Sequence, residues 1–320
     1  MGIRLAIAFL VAAGLQGCSF NRMRQEMPGA DRLPDRSRLS IGVVTTLDDP
    51  AFSRDRIADG MRSPVDAADP VGFGLYLLQP YDPSKTPVVF VHGIGATARD
   101  FRPAIEALDR AQFQPWVMSY PTGMRLSVVA QVLAEGLTEL RDRYAVSQVI
   151  VTAHSMGGLV ARAAVLQLSR EGQSAFIEAL ITLSTPYGGE GAAALGAHKV
   201  PGMVPSWIDL APGSDFLRSL ETPLPKSVPF YLLFSYGNND GDRHFWNLAR
   251  WFGLASLAGS NDGAVTLSSQ LAPYAQENAT QMFGFDVDHA SIVALPEALQ
   301  RLGGLFAAIA EVTVPLAQRR

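Results

Sequence analysis

The sequence predicts an α/β fold: a mostly parallel central sheet with helices on both faces. Two patterns carry this. Short, β-branched apolar runs alternate with segments of helical spacing from residue 73 to residue 312. The runs are also apolar throughout rather than at every second residue, as strands covered on both faces are. The chain has 320 residues, 48% hydrophobic and 18% charged, which suffices for one large domain core and is not the profile of a disordered chain.

Taken in order, residues 73–78 (FGLYLL) and 87–92 (PVVFVH) read as strands. Residues 100–111 (DFRPAIEALDRA) have helical spacing, and 114–120 form a strand closed by Pro121. Residues 126–144 give a long helix, 148–153 (QVIVTA) a strand, and 156–170 an Ala- and Leu-rich helix. Residues 179–184 (ALITLS), 229–235 (PFYLLFS) and 281–285 complete the strands, and 296–312 form a closing helix. Sheets of this kind place their sites at the carboxyl ends of the strands. A net charge of −4 without a long Lys/Arg run argues against a nucleic-acid partner.

The first seventeen residues (MGIRLAIAFLVAAGLQG) join a positive start at Arg4 to an apolar stretch too short to span a bilayer comfortably, the layout of a secretory signal. Cys18 follows as the one cysteine of the chain, so no intrachain disulfide forms. Leu15-Gln16-Gly17-Cys18 resembles a bacterial lipobox, which implies that Cys18 is lipidated and holds the mature protein to the cell envelope. Ser19 after it, in place of Asp, implies the outer membrane, facing the periplasm, in a Gram-negative host. Residues 18–70, rich in Arg, Asp and Pro, read as a tether or arm; an extended tether and an arm packed on the domain both remain open. The domain is then expected over 71–320, with insertions near 190–227 and 238–260.

The strongest chemical signal is Ala153-His154-Ser155-Met156-Gly157-Gly158, between a strand and a helix. A sharp strand-to-helix turn needs small neighbours and presents a serine hydroxyl at the sheet edge. The second is Val91-His92-Gly93-Ile94-Gly95-Ala96, directly after an earlier strand. AHSMGG resembles the elbow of Bacillus-type lipases, and HGIG the oxyanion loop of the same superfamily. Over residues 85–310 the chain is similar to bacterial α/β-hydrolase lipases and esterases, with features of the PGAP1-like group. The resemblance implies an α/β-hydrolase fold, a nucleophile at Ser155, and oxyanion donors in the N–H groups of Ile94 and Met156.

The order Ser, Asp, His implied by that family points to His289, after the last strand, as the base. His198 and His244 fall in the insertions, His92 reads as structural, and His154 points elsewhere as part of the elbow. Gly259-Ser260-Asn261-Asp262-Gly263 resembles the acid-bearing segment of Burkholderia- and Pseudomonas-type lipases and implies Asp262 as the acid; on topology alone, Asp240 and Asp242 would also serve. Asp286 and Asp288 read as solvated or structural. Related lipases bind calcium, but paired Asp in a Gly turn is more often a turn, so no metal is assigned. The chemistry calls for no cofactor.

Ser184-Thr185-Pro186-Tyr187-Gly188-Gly189 resembles a lipase segment that lines the site. Residues 243–258 (HFWNLARWFGLASLAG) form either a cap over an apolar acyl pocket or a helix packing its aromatics into the core. The expected activity is cleavage of a carboxylic ester, with an acyl-ester or lipid substrate. The alternatives are an acyltransferase using the same serine and a non-catalytic envelope binding protein that kept the fold.

Overall fold

The computed structural model describes residues 32–62, 72–191, 193, 204–237 and 260–313. Cys18, His198, His244, Asp240, Asp242 and the segment 243–258 lie outside them. Eight strands form one sheet: β1 (Ser40–Val44), β2 (Gly74–Leu77), β3 (Thr86–Val91), β4 (Phe113–Ser119), β5 (Val149–His154), β6 (Ile177–Leu183), β7 (Phe230–Ser235) and β8 (Gln281–Phe285). Their order is β1-β2-β4-β3-β5-β6-β7-β8. All neighbours are parallel except β2 and β4, so β1 and β2 run against the other six.

Alternation along the strands divides the core in two. Val89 and Val91 of β3 face one side with Trp116, Met118, Val149 and Val151. There they meet α3 (Leu126–Tyr144) and α4 (Met156–Arg170), which bury faces including Val129, Leu133 and Leu137, and Leu159, Val160 and Ala164. Val88 and Phe90 face the other side with Val117, Ile150 and Ile181, packing on α2 (Arg102–Glu106) and on α9 (Pro296–Thr313) through Leu302, Leu305 and Phe306. Both faces of the central strands are dry, which accounts for their unbroken apolar runs.

The remaining described helices are short: α1 (Arg56–Arg62), α5 (Pro205–Leu210), α6 (Asp215–Ser219), α7 (Leu267–Gln270) and α8 (Pro273–Asn278). The 204–227 part of the first insertion is tied to the body by two side chains. Asp209 of α5 accepts the Leu126 N–H at 2.7 Å, capping α3, and takes a two-pronged ion pair from Arg125. Arg162 of α4, with no exposed surface, donates to Leu220 O, Thr222 O and Asn278 Oδ1 and lies over the Phe230 and Tyr274 rings.

Two expectations need correction. The domain begins upstream of residue 71, because β1 lies in the arm and pairs with β2. Ser40–Val44 is a half-exposed edge strand, so it lacks the continuous apolar run that marks the inner strands. Gly74 lets the two backbones close, since a Cβ there would strike Ser40. Arg99 clamps the next turn through the carbonyls of Leu47, Asp48 and Asp49, at 2.8–3.0 Å. The described residues 36–62 of the arm are thus packed on the domain. Second, the helix expected over 100–111 is a 3₁₀ turn (Ala98–Phe101) followed by the single-turn α2. Thr97 and Asp100 close a capping box at its start. The Asp109 carboxylate binds the Ala111 N–H and the Gln112 side chain, ending the helix in a turn.

Candidate active site

Ser155 joins β5 to α4 with φ 54° and ψ −131°, a strained conformation for a residue with a side chain. Its N–H is held by Leu183 O at 2.8 Å, and its carbonyl by the Gly158 N–H at 2.9 Å. The small residues of the motif have specific neighbours. A Cβ on Gly157 would collide with the backbone of Val91 and His92, and one on Gly158 with Thr185. The end of β3 and the loop after β6 therefore close onto the elbow only because both positions are glycine. Gly93 lies against the serine itself, where a Cβ would sit 2.8 Å from Ser155 Cβ.

The Ser155 hydroxyl lies 2.8 Å from His289 Nε2, and His289 Nδ1 lies 2.8 Å from Asp262 Oδ2. A carboxylate only accepts, so Nδ1 carries the imidazole proton, and Nε2 is left to receive the one on Ser155. Asp262 is fully buried but well satisfied. Oδ2 also accepts from the Ser235 hydroxyl at 2.6 Å and Gln270 Nε2 at 3.0 Å, and Oδ1 from the Ala264 and Val265 N–H groups at 3.0 and 2.7 Å. Burial pushes this carboxyl up, but the His289 charge and these hydrogen bonds outweigh burial and hold it below the usual carboxylate range. The main chain repeats the link, since the His289 N–H donates to Asp262 O at 2.9 Å.

The structure thus brings Ser155, Asp262 and His289 into one hydrogen-bonded chain. Met156 opens α4, Ile94 follows Gly93, and no described acceptor takes either N–H. Asp286 is exposed, while Asp288 accepts the Ser291 N–H in a turn. Among the described residues no cluster of three or more His, Cys, Asp or Glu could hold a metal ion. In the loop after β6, Thr185 packs on Gly158, but Tyr187 turns into the core, where its hydroxyl meets Thr182.

Four contributors escaped the sequence reading. Ser235 and Gln270 brace Asp262, and the Ser184 hydroxyl donates to Ser235 Oγ at 2.6 Å. His154 does point away from the Ser155 hydroxyl, but its Nε2–H donates to the His289 carbonyl at 2.9 Å, with the two rings 4.9 Å apart. Burial first, then the neighbouring His289, push the His154 imidazole down to about 3, so it is neutral. His92 is structural: it stacks on Tyr120 and bonds Gly93 O, and burial pushes it down to about 4.

The mature form of Bacillus licheniformis lipase BlEst2 is similar in structure, with a TM-score of 0.53 and 24% identity over 74% of this chain and 97% of that one. Aspergillus fumigatus lipase B matches with a TM-score of 0.51 and 15% identity, over 72% of this chain and 54% of its own. At these identities the likeness is one of fold. No curated protein matches the chain in sequence. A family-wide pattern does, however, match residues 88–315, from β3 to the end of α9 and across the whole Ser155–Asp262–His289 arrangement, and on that match the chain belongs to the alpha/beta hydrolase family.

Proposed function

We propose that the protein is a serine hydrolase that cleaves carboxylic esters through an acyl-enzyme on Ser155. The observation that carries the reading is the unbroken chain from Ser155 Oγ through the His289 ring to Asp262, with both links at 2.8 Å. His289 Nε2 takes the Ser155 proton as Oγ bonds to the acyl carbon, and returns it to the departing alcohol as the C–O bond breaks. Water then gives a proton to His289 and attacks the acyl carbon, freeing the acid and Ser155. The Ile94 and Met156 N–H groups stabilise the transient oxyanion. Asp262 stays ionised and orients the ring.

The test is fluorophosphonate labelling with p-nitrophenyl ester turnover from short to long chains. Labelling at Ser155 that vanishes in Ser155→Ala, together with release of free acid, is the expected result. Acyl transfer to an added alcohol in place of water would make the protein a transferase. A wild type that neither labels nor turns over would leave a binding role.

We also propose that Cys18 carries a lipid anchor in the cell envelope, from the signal-like residues before it. Metabolic palmitate labelling should occur in the wild type and disappear in Cys18→Ala; an unlabelled wild type removes the anchor.

A further inference from the structure

Ser155 stands at the end of a strand, but Asp262 and His289 both lie in loops. Proton transfer needs His289 Nε2 within hydrogen-bond reach of Ser155 Oγ, and a misplacement of about 1 Å can cost about 10²-fold in rate. His289 is held on both sides of its own main chain. Its N–H donates to Asp262 O at 2.9 Å, and its carbonyl accepts from His154 Nε2 at 2.9 Å. The first bond ties the base to the acid, itself a loop residue. The second ties it to β5.

His154 is a fixed point. It is the last residue of β5, pairs with Leu183 of β6 and is buried. The next residue is Ser155, whose N–H donates to the carbonyl of the same Leu183 at 2.8 Å. The donor and the nucleophile therefore leave adjacent positions of one strand end, and groups built on strands are held more precisely than groups on loops. Upstream, the base loop is held two residues before His289, where the Val287 carbonyl accepts from the Gly237 N–H at 3.0 Å. The two imidazole rings also pack on each other, 4.9 Å apart and tilted by 44°. Burial keeps the His154 ring neutral. It can thus donate at Nε2 without placing a second positive charge beside His289 when that ring takes up the serine proton.

We propose that His154 is a positioning residue: its Nε2–H holds the main chain of His289 to the strand that carries Ser155, and so fixes the distance across which the serine proton moves. This rests on the hydrolase reading of the same site. Without the donor, the His289 carbonyl must find another partner, and the loop shifts to let it. Acylation and deacylation both pass a proton through His289 Nε2, so both slow together and KM changes little.

The experiment measures kcat and KM for p-nitrophenyl butyrate, and the rate of fluorophosphonate labelling of Ser155, at pH 8. The proteins are wild type, His154→Leu, His154→Gln and His154→Asn, each checked for folding by its urea midpoint. Leu removes the donor, Gln presents an N–H near the place of Nε2, and Asn carries the same amide one methylene short of it. His154→Leu should lose about 10- to 100-fold in kcat and in labelling rate, with KM within about threefold. His154→Gln should return to within about threefold of wild type, while His154→Asn stays with Leu. Burial of a polar side chain by itself produces no such split. Should His154→Leu not fold, the contrast between Gln and Asn decides alone. A loss in His154→Leu of less than about tenfold, or Gln and Asn variants that behave alike, with wild-type Ser155 still labelled, would overturn the role of His154 alone. Loss of labelling and turnover in wild type would overturn the hydrolase reading and this proposal with it.

Discussion

Replacing His289 with alanine should lower kcat on a p-nitrophenyl ester by about 10⁵-fold or more, and Asp262→Asn by about 10⁴-fold. Without His289 nothing in the Ser155–Asp262 line can receive the serine proton, because Asp262 reaches Ser155 only through the ring. The asparagine effect is sharper in its logic. The Ala264 and Val265 N–H groups both donate to Oδ1, so an amide at 262 keeps its oxygen there and places its NH₂ where Oδ2 was. That NH₂ would face His289 Nδ1, the Ser235 hydroxyl and Gln270 Nε2. To accept from it, Nδ1 must give up its proton, which moves the ring proton to Nε2, the wrong side for taking one from Ser155. Steady-state kcat and the fluorophosphonate labelling rate check this. An Asp262→Asn enzyme within tenfold of wild type would mean that His289 is oriented by something else. Ser235→Ala removes one donor of five and should cost far less.

Acid should begin to destabilise the protein above the range where its ordinary carboxylates titrate. His92 and His154 are held at about 4 and about 3, against an ordinary value of 6.5, and burial is the main cause of both. Between 6.5 and those values only the unfolded chain takes up their protons, so the contribution of these two rings is full above pH 6.5 and falls as pH falls. At one pKa unit per 1.4 kcal/mol, the pair removes about 5 kcal/mol by pH 4.5, and the buried Glu190 carboxyl, pushed up to about 8 by burial and so already protonated in the folded chain, returns about 2 of it over the same range, for a net loss of about 3 kcal/mol. Asp262, whose pKa is lowered, adds its loss only at more acid pH, below the ordinary carboxylate value. Urea unfolding at a series of pH values should show a decline of about 3 kcal/mol between pH 6.5 and pH 4.5. In His154→Gln most of the net decline should disappear, since Gln keeps an N–H near the place of His154 Nε2 and does not titrate. A stability that stays flat down to pH 4.5 would contradict the neutral, buried state of both rings.

Much of the fold could be read from local pattern. The bounds of α3 and α4 match the periodicity to the residue, because amphipathic helices write their burial into spacing. The Ser155 elbow was visible because its strain demands small residues at fixed offsets, and His289 because it follows a strand late in the chain. The edge strand β1 was not visible, since a half-exposed strand needs no apolar run. The sheet edge on which β1 pairs parallel to β2, both reversed against the rest, depends on partners 34 residues apart and left no local mark.

By itself, then, the sequence determined the parallel sheet, the elbow and the residue types able to do acyl chemistry. Tertiary structure alone decided which groups touch. Asp262 meets a serine and a glutamine from two other elements, His154 braces a carbonyl 135 residues away, and the Glu190 N–H bonds Leu210 O. The physical reason is that hydrogen bonds between side chains of distant segments, and the desolvation that shifts a pKa, depend on three-dimensional neighbours. Neither has a period along the chain.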